Sequence, residues 1–124
     1  MIGIADKTQE IQAFFQVSRD LARYFHFGVS DSISDIVDSS YMPIEEICAF
    51  FRKNPDLIPD DTYSEQLYDD QSLYRANKVN NLTYDIEYDL VHGNQRAYMT
   101  VYIQFIHDEV EPYTTVELKN IKKN

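Results

Sequence analysis

The stretch that decides the fold is residues 84–105, YDIEYDLVHGNQRAYMTVYIQF. Apolar and polar side chains alternate along both of its arms, which is the pattern of a β-strand with one buried face. The arms are joined by Gly93 and Asn94, and both residue types accept the positive φ angles of a tight hairpin turn. We therefore predict a β-hairpin in which His92 lies opposite Gln95.

The turn also predicts the register of the hairpin. Cross-strand pairs on the predicted core face are all apolar or aromatic: Leu90 with Ala97, Tyr88 with Met99, Ile86 with Val101, Tyr84 with Ile103, and Leu82 with Phe105. A slip of one residue would send each apolar side chain to the other face, so the alternation and the turn support each other.

Three helices are predicted ahead of the hairpin. The first, Lys7–Phe27, has apolar residues at three- and four-residue spacing and is followed by Gly28, a residue type that ends helices. The remaining predicted elements are helices at 31–39 and 43–53 and strands at 72–79 and 113–121. The expected fold class is α+β, with three N-terminal helices packed on one face of a 3–4-stranded antiparallel meander sheet in one domain, residues 1–124.

The acidic composition restricts the kinds of partner that the chain can bind. A formal net charge of −10 argues against nucleic acid or an anionic membrane as the partner, because phosphate groups attract clusters of Lys and Arg. No apolar run reaches the roughly 18 residues of a membrane span, and the N-terminus lacks the pattern of a signal peptide. Since Cys48 is the only cysteine, an internal disulfide is excluded. A cytoplasmic location is therefore expected.

No catalytic or metal-binding motif is found in the sequence. The histidines His26, His92 and His107 fall at a predicted helix end, a turn and a strand end, without the spacing of metal ligands. Cys48 is interpreted as a buried apolar residue of the third helix. We accordingly predict no enzyme activity, no cofactor and no metal, although a catalytic set assembled in space from distant residues stays open.

The second face of the hairpin is the predicted partner-binding surface. This acidic strand face carries Asp85, Glu87, Asp89, Tyr98 and Tyr102. A simple solvated strand face is the alternative, and Lys119 and Arg96 are possible neighbours that would offset the three carboxylates. Tyrosine supplies contact area in protein interfaces, and carboxylates supply complementarity to a basic partner.

A second candidate contact region is the acidic segment 56–70. Its carboxylates lie among prolines and apolar residues, but their spacing is not that of a calcium-binding loop. The residues predicted to contact a partner there are Asp60, Asp61, Asp69 and Asp70.

In its size, its lack of a catalytic set, its acidic segment 56–70 and its DIEYD strand at 85–89, the chain resembles small, acidic bacterial immunity proteins, which neutralise a cognate toxin from a neighbouring cell. The resemblance implies a cytoplasmic, non-enzymatic protein whose acidic surface covers a basic, nuclease-like toxin domain. The order of elements also resembles the cone-shaped cystatin-like or nuclear-transport-factor-like fold, which implies a small apolar ligand or an enzyme. A third possibility is an adaptor, chaperone or regulatory subunit, so that both a monomer and a homodimer are compatible with the sequence.

Overall fold

A computed structural model describes residues 7–59, 74–93, 95–110 and 114–124, with side chains from residue 10 onward except those of residues 74 and 96. Its helices are α1 (Lys7–Phe27), α2 (Ser30–Ile36) and α3 (Ile44–Lys53). Its strands are β1 (Ser39–Ser40), β2 (Leu57–Pro59), β3 (Tyr74–Lys78), β4 (Thr83–His92), β5 (Gln95–His107) and β6 (Thr114–Lys123). The first helix has the predicted bounds, whereas α2 ends early because Val37 takes an extended conformation.

The six strands form a single curled, mixed sheet in the order β1-β6-β5-β4-β2, and β3 pairs with another part of β4. Strand β1 pairs in parallel with β6, and all the other strand pairs are antiparallel. The predicted fold class is therefore wrong in two respects. The sheet is not a 3–4-stranded antiparallel meander, and the helices do not form an uninterrupted N-terminal group, because β1 separates α2 from α3. A two-residue strand has no periodicity to detect, and its pairing depends on a partner almost 80 residues away.

The predicted hairpin is present, but its register differs from the prediction by two residues. His92 pairs with Gln95 as predicted, whereas Leu90 pairs with Met99 instead of Ala97. The difference arises at an irregularity beside the turn, where Ala97 adopts a φ of 56° in the left-handed region. Because side chains alternate with a period of two, a shift of two residues keeps the side chains of Tyr84–Leu90 and Met99–Phe105 on their predicted faces.

Helix α1 covers the apolar face of this sheet. The predicted core face is confirmed, since most of its residues are buried: Tyr84, Ile86, Tyr88, Leu90, Met99, Val101, Ile103 and Phe105. Leu82 and Ala97, at its two ends, are half-buried. Phe14 of α1 stacks on Phe105 of β5 with ring centroids 4.3 Å apart. Packing of this kind stabilises the domain by roughly 1.5–3 kcal/mol for each large side chain buried.

Candidate functional site

Asp89 of the acidic strand face is a buried structural residue. Its side chain is 2% exposed, and Arg75 on β3 donates two hydrogen bonds to its carboxylate at 2.7 and 2.9 Å. Thr100 donates a third hydrogen bond at 2.7 Å. The hydrogen bonds to Asp89 raise the pKa of Arg75, against the opposite effect of burial. Asp89 is therefore inaccessible to a partner, although it was predicted to belong to a partner-binding surface or to a solvated strand face.

The other two carboxylates of the acidic strand face are partly exposed and also have partners. Gln104 donates a hydrogen bond to Asp85 at 2.8 Å, and Nε of Arg75 lies 3.4 Å from Glu87. Among the described side chains, the compensating cation is therefore Arg75 and not Lys119, which lies 3.9 Å from Glu117, and the side chain of Arg96 lies outside the described residues. Sequence reasoning missed Arg75 because the pairing of β3 with β4 is what brings it alongside.

The two tyrosines of the acidic strand face lie under lysines. The ammonium group of Lys122 is 5.0 Å from the ring centroid of Tyr102, and that of Lys123 is 4.9 Å from the ring centroid of Tyr98. Both rings are half-buried, and Tyr98 packs against the edge of the core. Because cations lie over these rings and beside the carboxylates, this face attracts a basic partner less than its sequence suggests. The other predicted contact residues lie outside the described residues: Asp60, Asp61, Asp69 and Asp70.

A second group of exposed carboxylates lies on α2, on the residue before β1 and at the start of α3. We call this the acidic helical surface, and its exposed carboxylates are Asp31, Asp35, Asp38, Glu45 and Glu46. The sequence contains no Lys or Arg between Arg23 and Arg52, so no cation from this stretch offsets them. The sequence indicates favourable first-turn charges at Asp31, Glu45 and Glu46, and the structure places Asp31 in the first turn of α2 and both glutamates in the first turn of α3. Their shared surface follows from the packing of α2 against α3.

Beside this surface lies an apolar groove with a volume of about 300 Å³. Its lining comes from the β1–α3 connection, from α3 and from the sheet: Tyr41, Met42, Ile47, Phe50, Met99 and Ile121. Tyr41 is 44% exposed and Phe50 is 38% exposed, so two aromatic rings are open to solvent at the groove. Because these residues come from distant parts of the chain, no local pattern in the sequence indicates the groove.

The connection between β1 and α3 holds one wall of the groove in place. The backbone N–H of Tyr41 donates to the carbonyl of Leu118 on β6 at 3.0 Å. The hydroxyl of Ser40 donates to the carbonyl of Met42 at 2.7 Å. Partial burial raises the pKa of Tyr41, while a hydrogen bond with the backbone of Ile121 acts in the opposite direction. The Tyr41 hydroxyl is thus a neutral polar group at the rim of an otherwise apolar groove.

A third cluster joins α1 to the far end of the sheet. The hydroxyl of Tyr84 donates to Oε2 of Glu10 at 3.1 Å, and Nε2 of His107 contacts Oε1 of the same carboxylate. The other ring nitrogen of His107 lies 2.8 Å from the hydroxyl oxygen of Thr114. Burial, followed by the hydrogen bond and the negative charge of Glu10, raises the pKa of Tyr84. We interpret this cluster as a structural connection, because Glu10 and Tyr84 are buried and their polar groups satisfy one another.

Glu10→Ala is expected to lower the free energy of unfolding by about 1–2 kcal/mol, because it leaves the buried hydroxyl of Tyr84 without its acceptor. Urea denaturation at neutral pH measures the change. Glu10→Gln is the matched control, since its amide oxygen still accepts the hydrogen bond, and it should lose clearly less. Equal stability of Glu10→Ala and wild type would show that the cluster does not hold α1 to the sheet.

Two further observations concern chemistry. Cys48 is buried on α3 as predicted, and burial raises the pKa of its thiol, which leaves it unsuited to act as a nucleophile. Among the residues that the structure describes, no group of three or more His, Cys, Asp or Glu side chains could hold a metal ion.

No helix in the described ranges has the length and apolar character needed to cross a membrane.

Comparison of the chain with protein-family models, with curated proteins and with solved structures gives no match. The groove, the two acidic surfaces and the Glu10 cluster are therefore interpreted from their own chemistry.

Proposed function

We propose that this chain is a non-enzymatic protein-binding domain that neutralises a basic toxin domain, in the manner of a bacterial immunity protein acting in the cytoplasm. The observation that carries the proposal is the position of the acidic helical surface beside exposed aromatic rings. Tyr41 and Phe50 offer apolar contact area, and Glu45 and Glu46 precede Phe50 on α3. Interfaces combine aromatic anchors with charged residues, which speed association and select the partner.

The overall charge supports the same proposal. A chain with 21 acidic and 11 basic residues attracts a basic partner over several ångströms, and such steering raises association rates by about 10–10³-fold at low salt. A basic nuclease-like domain is the partner class that this charge fits, whereas nucleic acid itself is repelled. The acidic strand face remains a candidate contact through Asp85 and Glu87, which are partly exposed, whereas Asp89 is not accessible.

The test is co-purification with the C-terminal domain of the protein encoded directly upstream, which the proposal expects to be a basic, secreted toxin. We expect the wild-type chain to bind this domain, with an association rate that falls as salt is added. Glu45→Lys/Glu46→Lys should raise Kd by at least about tenfold, because each reversal replaces an attraction with a repulsion.

Asp85→Lys/Glu87→Lys is the matched control, with the same change of four charge units on the acidic strand face. A larger rise in Kd for this control than for Glu45→Lys/Glu46→Lys would indicate that the toxin domain contacts the acidic strand face instead. Absence of binding to the toxin domain at low and high salt would contradict the proposed function itself. Circular dichroism of each variant establishes that it is folded before binding is compared.

A second candidate function is the binding of a small apolar ligand by a cone-like fold. It is favoured by the curled sheet and by the apolar lining of the groove, whose volume is at the small end of ligand pockets, about 300–1,000 Å³. A neutral ligand of this kind gains nothing from the carboxylates around the groove. The charge-reversal variants therefore separate this candidate from the binding of a basic protein.

A further inference from the structure

We infer that the apolar groove receives apolar side chains from a lysine- or arginine-rich segment of the partner, which the acidic helical surface holds by charge. This inference rests on the proposed function and adds to it the contact site and the chemistry of the bound segment. It depends on three properties of the groove: its lining, its rigidity and the charge on one side of it.

The lining suits an apolar anchor. Met99 and Ile121 form the floor from adjacent strands of the sheet, and Phe50 lies 38% exposed on the wall formed by α3. Binding energy in protein interfaces is concentrated where an apolar or aromatic side chain of one partner enters a pocket of the other. Met42 is a flexible, polarizable residue of the wall, and methionine adapts to side chains of different shape.

The rigidity of the groove favours binding without rearrangement. Strand β1 fixes the wall that contains Tyr41 through a backbone hydrogen bond to Leu118, and Ser40 closes the turn onto Met42. A wall that is already in place does not have to be ordered when the partner binds, so less binding energy is lost.

The charge on one side of the groove selects a basic segment. Glu46 lies one turn before Phe50 on α3 and is exposed, as is Glu45. On the opposite side, Lys123 follows Ile121 by two residues, but its ammonium group lies over the ring of Tyr98. A cation of the bound segment would therefore lie toward α3, with the apolar side chains directed into the groove. An amphipathic helix presents its side chains in this way, as in other complexes of a helix with a groove.

The methionines provide a direct measurement of groove occupancy. The chain has three, and two of them, Met42 and Met99, line the groove. We propose to label the methionine methyl groups with ¹³C, to assign them with Met42→Leu and Met99→Leu, and to titrate the full chain with a blocked peptide of about 14 residues. The peptide carries Leu at i, i+3, i+4 and i+7 and Lys at the other positions.

The expected result is a saturable shift of the Met42 and Met99 signals with the Lys/Leu peptide. The same peptide with Glu in place of Lys should give at least about tenfold weaker binding, because it meets the acidic helical surface with like charge. The same peptide with Ala in place of Leu should also bind about tenfold more weakly, because it lacks the anchors. Equal shifts with all three peptides, or no shift with the Lys/Leu peptide, would overturn the inference.

Variants of the chain test the site within the protein. Phe50→Ala and Glu46→Lys should each raise Kd for the Lys/Leu peptide by about tenfold. Phe27→Ala removes a ring that is 73% exposed but does not line the groove, and Glu109→Lys makes the same charge change at an exposed position just beyond the end of β5, outside the acidic helical surface. Both control variants should stay within about threefold of wild type. An equal loss of affinity in a variant and its control would show that nonspecific hydrophobic association or net charge explains the binding.

Repeating the measurement with the toxin domain distinguishes the two proposals. If this domain binds while the Met42 and Met99 signals stay unchanged and Phe50→Ala has no effect, the groove is not the contact and the proposed function still holds. If the toxin domain does not bind but the Lys/Leu peptide does, the groove has the inferred preference and the proposed function fails.

Discussion

Val101→Asp is expected to give no cooperatively folded protein. Val101 is 0% exposed in the middle of β5, where it pairs with Tyr88 on one side and Ile121 on the other. A buried carboxylate without a partner costs several kcal/mol, even when it takes up a proton and becomes neutral. Since a domain of this size is stable by about 5–15 kcal/mol in total, one such residue removes a large part of that stability.

Val101→Thr is the matched control, because threonine has nearly the shape of valine and introduces only a hydroxyl group. We expect this control to remain folded with a loss of about 1–2 kcal/mol, as measured by thermal denaturation followed by circular dichroism. A Val101→Asp protein with the melting temperature of wild type would show that the apolar hairpin face is not the core.

Arg75→Ala is expected to lower the free energy of unfolding by about 2–3 kcal/mol. It leaves the carboxylate of Asp89, which is 2% exposed, without its bidentate partner. Breaking a buried ion pair typically costs about 3–5 kcal/mol, and we place this one lower because the side chain of Arg75 is 40% exposed. Removing the Arg75 side chain lets water reach the carboxylate of Asp89, and this hydration offsets part of the lost stability.

The second substitution of this series is Asp89→Asn. In the Arg75→Ala background it should restore part of the stability, because a neutral amide at this position no longer needs a cation and can still accept the hydrogen bond from Thr100. Lys119→Ala is the surface control, because Lys119 is 55% exposed and lies 3.9 Å from Glu117, and it should change stability by less than about 0.5 kcal/mol. Urea denaturation at neutral pH compares wild type, Arg75→Ala, Arg75→Ala/Asp89→Asn and Lys119→Ala. An equal free energy of unfolding for Arg75→Ala and Lys119→Ala would contradict the role assigned to Arg75.

The acidic strand face shows how one row of residues acquired two roles. The sequence indicates that the residues of this face alternate with core residues, and it also predicts that a cation offsets the three neighbouring carboxylates. The source of that cation was missed because the strand predicted at 72–79 was not paired with β4, although only residues 79–82 separate β3 from β4. As a result, Asp89 belongs to the interior, whereas Asp85 and Glu87 remain partly open.

The register of the hairpin illustrates the limit of local rules. A Gly-Asn turn predicts His92 opposite Gln95, and this pair forms. The two-residue shift beyond it arises where Ala97 takes a positive φ, which an alanine avoids in isolation. We attribute the strain there to the pairing of Leu90 with Met99 farther along the strands, since that pairing places two large apolar residues together in the core.

By itself, the sequence determined the first helix, the hairpin with its buried face, the burial of Cys48 and the acidic character of the chain. These features depend on periodicity, turn chemistry and composition, which act between residues close together in the chain. Only the tertiary structure decided the parallel β1–β6 pair, the partner of Asp89 and the apolar groove. The β1–β6 pair and the groove bring together residues from distant segments, and such contacts are selected by the packing of the whole domain rather than by any local pattern. Arg75 and Asp89 lie only 14 residues apart, and they meet because β3 pairs with β4 in one particular register.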